Sequence, residues 1–292
     1  MLLRWTYAAS ILALLATQAG AAPLMSVEAV VSPAWVEHAD GTREPVALGA
    51  ALREGERIAT GPGARVVMRM GEGNAVKLGE QAVFALPQLK TEAHGASALW
   101  QGSLDVLRGA FRYTTAHLAG ATAERDLKVR VNTLVAGIRG TDVWGKSDAA
   151  KDLLVLIEGR ITVDRAGQQL TLDQPRTLLV APRDGSTPPA ARISTSELAT
   201  LSAETEILAG AGGTVIGGRY RVVVITTVDE TYARDLHARL RIGGYPAELR
   251  TIEQEGSPLF QIYIAHLSGE REARAVAQRL RALGYTEARP AR

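Results

Sequence analysis

"ARDLHARLRIGGY" occupies Ala233–Tyr245, and "ARAVAQRLRALGY" occupies Ala273–Tyr285. The offset, 273 − 233 = 40 residues, carries no gap, and it extends backward: "YRVVVIT" from Tyr220 is matched by "FQIYIAH" from Phe260. Tyr220, Val222 and Val224 correspond to Phe260, Ile262 and Ile264, an apolar alternation that predicts a strand in each copy. Ala233, Leu236 and Leu240 recur at helical spacing in the first copy; Ala273, Val276, Ala277, Leu280 and Leu283 do so in the second. Gly244 and Gly284 fall where a left-handed residue stops a helix. "PAELRT" and "TEARP" supply one more strand each, so the order is β-α-β-β-α-β.

That order is a split βαβ, ferredoxin-like unit over residues 219–292. Two helices on one side leave the other sheet face open. Counting alternately from the buried residues, that face carries Arg221, Val223 and Ile225 of the first strand. Gln261 and Tyr263 of the third strand join them, with Glu248 and Arg250 of the second. An aromatic ring flanked by hydrogen-bonding groups stacks a ligand ring and grips its edges, so sugars and bases are candidate ligands. Arg234, Arg239, Arg241, Arg274, Arg279 and Arg281 fall on the other helix faces and read as a solvated surface that complements the helix dipoles. The RNA-recognition RRM shares the strand order, but its signature is missing from "SPLFQIYIAH", so nucleic acid is not expected as a partner.

Residues 219–292 resemble the SPOR family in length, internal repeat and both Gly-Tyr endings. That family reads Y-x-V-Q-V-G-S-F, helix, G-Y, then Y-x-V-x-V-G-P-F, helix, G-Y. The resemblance implies binding to peptidoglycan glycan strands, with preference for strands stripped of stem peptides, and enrichment at sites of cell division. The departures are Val223 for the family's Gln, Ile225-Thr226-Thr227 for Gly-Ser-Phe, and Ala265-His266-Leu267 for Gly-Pro-Phe. A lost Gln amide removes a sugar-hydroxyl partner, a hydrogen bond worth ~1 kcal/mol. Gln261 and Tyr263 are therefore expected to carry the site. The alternative is a protein-interaction or signalling module that has lost glycan binding and uses the apolar Val223 and Ile225 on a partner.

The remaining chain sets the context. Arg4, the apolar run "YAASILALLA" and the small-residue exit at Ala19–Ala21 read as a secretory signal peptide over residues 1–21, cleaved after Ala21. The run is about half the ~20 residues a membrane span needs, and no later segment is apolar for long enough. The expected location is the periplasm, with no transmembrane segment in the mature chain. An uncleaved anchor is the other reading. The 292 residues are 46% hydrophobic and 22% charged, which suits folded domains, and a net charge of +2 names no partner. There is no cysteine, which excludes disulfides, thiol catalysis and cysteine-ligated metals.

From Ser26 to Pro182, short apolar alternations are punctuated by glycine. In "ERIATGPGARVVMRMGEGNAVKL", Ile58, Val66, Met68 and Met70 alternate with polar or small residues, and Gly61–Gly63 and Gly71–Asn74 sit at turns. Asp164–Gly167, "DRAG", predicts a hairpin connection. The reading is an all-β sandwich or roll. "REGERIATGPGARVVMRMGEGNAVKL" and "VRVNTLVAGIRGTDVWGK" resemble the FecR family, with Gly137-Ile138-Arg139-Gly140-Thr141 as its signature and "VLIEGRITV" as the following strand. The physical reading of the signature is a structural corner pinned by Arg139, its rival a partner-recognition loop. The best-known FecR-type proteins relay transporter occupancy through a membrane span to a cytoplasmic sigma factor. Neither a span nor a cytoplasmic segment is expected here, so that role is not carried over.

Residues 183–218 read as a linker. Pro188-Pro189 and the glycines from Gly210 to Gly218 break the pattern, and Ser194 with Glu197 forms a capping box for one short helix. The five histidines show no metal-ligand spacing, and no nucleophile or phosphate-loop motif appears. The expectation is a multidomain α+β, non-enzymatic envelope protein without cofactor or metal. Its partners are glycan strands and, through the β domain, other envelope proteins.

Overall fold

The computed structural model describes residues 24–292 apart from 72, 95, 96, 116–124, 187 and 255. The expected signal segment and its cleavage point lie outside the described residues. In chain order the β-rich part comprises β1 (Met25–Val31), β2 (Ala34–Glu37), β3 (Arg43–Pro45), β4 (Arg57–Thr60), β5 (Arg65–Met70), β6 (Asn74–Leu78), β7 (Val83–His94), β8 (Ser97–Thr114), β9 (Arg125–Val131), β10 (Leu134–Ile138), β11 (Asp142–Ser147), β12 (Lys151–Glu158), β13 (Ile161–Arg165), β14 (Gln168–Leu172), β15 (Thr177–Pro182) and β16 (Ala191–Arg192). Then follow α1 (Thr195–Ala203), β17 (Thr214–Val215), β18 (Tyr220–Thr227), α2 (Glu230–Ile242), β19 (Glu248–Gln254), β20 (Ser257–Leu267), α3 (Glu270–Ala282) and β21 (Arg289–Ala291).

The strands are mostly antiparallel and form two layers. One runs β16–β15–β12–β11–β8–β6–β5–β1. The other runs β3–β2–β4–β7–β8–β9–β10–β13–β14. β8 belongs to both, pairing with β7 up to Arg108 and with β6 and β11 beyond it. Gly109, at φ +82°, makes the bend; a Cβ there would lie 2.4 Å from the Ala82 Cα. The core between the layers buries Ile58, Val66, Met68, Met70, Phe84, Leu104, Phe111 and Tyr113 completely or nearly so. Each such apolar side chain contributes about 1.5–3 kcal/mol by leaving water.

β12 is apolar on both faces. Leu154 and Leu156 enter the main core, while Val155 turns outward beside Trp144 and Ile193. α1 covers that outer cluster with Leu198 and Leu201. Its start is fixed by the expected capping box, with Ser194 and Glu197 serving each other's backbone N–H. The "DRAG" hairpin joins β13 to β14, with Ala166 and Gly167 both at positive φ, the conformation a two-residue hairpin turn requires.

The stretch expected as a linker is held closely between the two parts. β17 pairs with β1 on one side, and Thr214 of β17 pairs with Leu267 of β20 on the other. The Glu272 carboxylate, 8% exposed, accepts N–H bonds from Gly210 (2.5 Å), Gly212 (2.6 Å) and Gly213 (3.2 Å). The arrangement leaves few of these backbone donors orphaned, as burial demands. Arg279 donates to the carbonyls of Ser32 and Ala211. The Trp35 indole donates to the Ile242 carbonyl at 2.9 Å, beneath Gly244, where a Cβ would strike the Trp35 ring at 2.6 Å.

Candidate functional site

The C-terminal sheet has the spatial order β21–β18–β20–β19, all antiparallel. α2 and α3 cover one face through Ala233, Leu236, Leu240, Ala273, Val276, Ala277 and Leu280. Leu283, expected on the buried face, is 57% exposed because it is the C-cap of α3 rather than part of its last turn. The Gly-Tyr endings are two copies of one helix stop. The N–H groups of Tyr245 and Gly244 bond the carbonyls of Leu240 and Arg241, and those of Tyr285 and Gly284 bond Leu280 and Arg281. Both glycines have positive φ, so each is a Schellman motif whose tyrosine packs back on the core.

The other sheet face carries a polar cluster. The Tyr263 hydroxyl donates to Glu248 at 2.7 Å. Arg250 lays its guanidinium over the Tyr263 ring, 5.1 Å from the centroid, and donates twice to the Gln261 side-chain oxygen at 2.6 and 3.0 Å. The Gln261 amide donates in turn to the Thr226 hydroxyl. The hydrogen bond to Glu248, then burial, push the Tyr263 hydroxyl above its ordinary value, so it remains a donor at neutral pH. Arg221 sits beside this cluster with its Nε shielded from solvent and without an acceptor.

The structure brings Arg221, Val223, Arg250, Gln261 and Tyr263 together on this face. Val223 lies beneath the polar groups, 4% exposed, between its cross-strand neighbours Tyr263 and Arg289. Ile225 is elsewhere. An extra residue at Val224 shifts the register from Val223↔Tyr263 to Ile225↔Ile262, which turns Ile225 onto the helix-side core. Thr226 takes its place, and Arg289 joins from β21. The unbroken β-branched run "VVVITT" gave no parity signal for that bulge.

The signature residues Gly137–Thr141 lie in the β sandwich. Gly137 and Ile138 end β10 in one layer, and β11 begins the other at Asp142. The chain returns at Gly159, between β12 and β13. The two crossings pack together: Gly140 and Gly159 are at φ +65° and +90°, and a Cβ on Gly159 would meet the Gly140 carbonyl at 2.6 Å. Thr141 is fully buried and exchanges hydrogen bonds with Thr115. This geometry fits a structural corner; Arg139 itself is exposed. Among the described residues, no group of three acidic or histidine side chains is arranged to hold a metal ion, and no helix is long and apolar enough to cross a membrane.

The family described as FecR protein matches residues 56–162, a stretch of the sandwich that includes this corner. No curated protein matches the chain. Two solved structures from Parabacteroides distasonis ATCC 8503, each described as a "putative anti-sigma factor", share some of its shape. One is 11% identical with a TM-score of 0.38, over 70% of this chain and 97% of that one. The other is 13% identical with a TM-score of 0.39, over 79% and 90%.

Proposed function

We propose that this is a non-enzymatic envelope protein whose FecR domain serves signalling or regulation and whose C-terminal βαββαβ unit, a ferredoxin-like SPOR-type module, binds peptidoglycan glycan strands. The observation that carries the glycan reading is the fixed cluster of Glu248, Tyr263, Arg250, Gln261 and Thr226 on the sheet face opposite α2 and α3. Sugar recognition needs donors and acceptors held in place before the ligand arrives, because ordering them on binding costs affinity. Glu248 offers an acceptor, Arg221, Arg250 and Arg289 offer donors, and the Tyr263 rim offers an apolar edge. Export to the periplasm, which this reading requires, is proposed from the N-terminal sequence.

Pelleting of the full chain with purified sacculi, intact and amidase-treated, tests this. The protein should pellet, more so with stripped glycan, and Tyr263→Ala should reduce pelleting with unchanged circular dichroism. A protein that stays in the supernatant with both preparations is not a glycan binder. The second reading, a partner-binding module without glycan affinity, draws on the internal saturation of Gln261, whose oxygen and amide are already engaged.

A further inference from the structure

A cavity of about 480 Å³, lined largely by polar residues, opens in the β-rich part, remote in sequence from the C-terminal face. Its walls are the start of β5 (Arg65), the β6–β7 turn (Glu80, Gln81), the β8 bend (Arg108) and the end of β11 (Lys146) with the turn after it (Asp148), closed by Glu204 just past α1. Three cations and three carboxylates line it, and each of the acids already holds a partner. Glu80 accepts the Gly63 N–H at 2.7 Å. Asp148 accepts the N–H groups of Ala150 and Lys151. Glu204 pairs with Lys146 at 2.8 Å.

The two arginines have no carboxylate partner among the described residues. Arg65 spends one donor on its neighbour's carbonyl, Ala64 at 2.8 Å, and its shielded Nε has no acceptor. Arg108 is anchored by one bond, Nε to the Gln81 carbonyl at 3.0 Å, which leaves both terminal nitrogens available. Gln81 reaches that position at φ +52°, a left-handed backbone that a non-glycine residue adopts only at a cost. A guanidinium fork held by its Nε at the border of a cavity has two terminal nitrogens to offer, the match for the paired oxygens of a carboxylate or phosphate.

We propose that this cavity binds a small dianionic oxyanion, a dicarboxylate or a phosphate, with Arg65 and Arg108 as its two cationic ligands. A cavity of this size suits a small molecule. The site stands apart from the glycan reading and does not depend on it. Isothermal titration of the full chain with succinate and, separately, with inorganic phosphate tests it, with chloride as the control anion. At least one of the two should bind saturably where chloride does not, and the arm that binds names the class. Arg108→Gln should weaken that binding ten-fold or more without altering the urea midpoint, and Arg65→Gln should do the same. Arg108 is exposed, so its variant folds even if the Arg65 variant does not. Absence of saturable binding for both anions, or wild-type affinity in Arg108→Gln, overturns the proposal.

Discussion

Replacing Glu272 by alanine should loosen the junction between the sandwich and the C-terminal unit. The wild-type carboxylate holds three backbone N–H groups, at 2.5, 2.6 and 3.2 Å, in a site where it is 8% exposed. A hydrogen bond to a charged group is worth about 1.5–3 kcal/mol, and donors left buried without an acceptor cost about 1–3 kcal/mol each. The three bonds share one acceptor group and do not add, so the expected loss is about 3–5 kcal/mol, the usual figure for removing one partner of a buried charged contact. Glu272→Gln keeps the volume and one acceptor oxygen and should lose about half as much. Urea unfolding measures the loss, and hydrogen exchange localises it: the amides of Gly212 and Gly213 should lose protection while β12 keeps its own. A variant within about 0.5 kcal/mol of wild type, with these amides still protected, would refute the assignment of Glu272 as the clasp.

Three further outcomes test the sandwich. Gly159→Ala places a Cβ 2.6 Å from the Gly140 carbonyl at φ +90°. It should cost more than about 2 kcal/mol in urea unfolding, whereas an exposed glycine-to-alanine change without strain costs nothing like that. Arg183 grips Asp152, which is 0% exposed, with two bonds of 2.6 and 2.7 Å. Arg183→Ala should therefore cost about 3–5 kcal/mol in a thermal or urea melt. Burial alone would raise the Asp152 carboxyl, but Arg183, Thr133 and Ser147 hold it below 3.8, so in the wild type this stabilisation is present above pH 3.8 and fades as pH falls further. His38 behaves oppositely. Its hydrogen bond to Glu56 at 2.8 Å outweighs partial desolvation, and Glu44 adds to it, so the imidazole is raised above 6.5. Its contribution is complete below pH 6.5 and is lost as pH rises through the raised value; His38→Gln should flatten the stability profile in that window.

The repeat at an offset of 40 residues made the C-terminal unit legible, because helical spacing, Gly-Tyr stops and strand alternation agreed with one another. The glycine positions of the sandwich were equally readable: Gly63, Gly71, Gly73 and Gly167 all carry the positive φ their turns need. Two things were hidden. The Val224 bulge exchanged Ile225 for Thr226 on the candidate face, and a run of β-branched residues gives no hint of where parity changes. The glycines after α1 looked like a free connection, since nothing local announces that a carboxylate sixty residues away in α3 will collect their N–H groups. Composition reports what a segment can do alone, not what a distant partner makes it do.

The proposed glycan face is built by β18, β19 and β20. Hydrogen exchange of the full chain, with and without amidase-stripped glycan strands, tests it. Protection should rise at residues 221–223, 248–250 and 261–263 and stay unchanged across the FecR-matching residues 56–162. Bound glycan that protects only the sandwich, or that leaves these three segments unchanged, would overturn the assignment of this face.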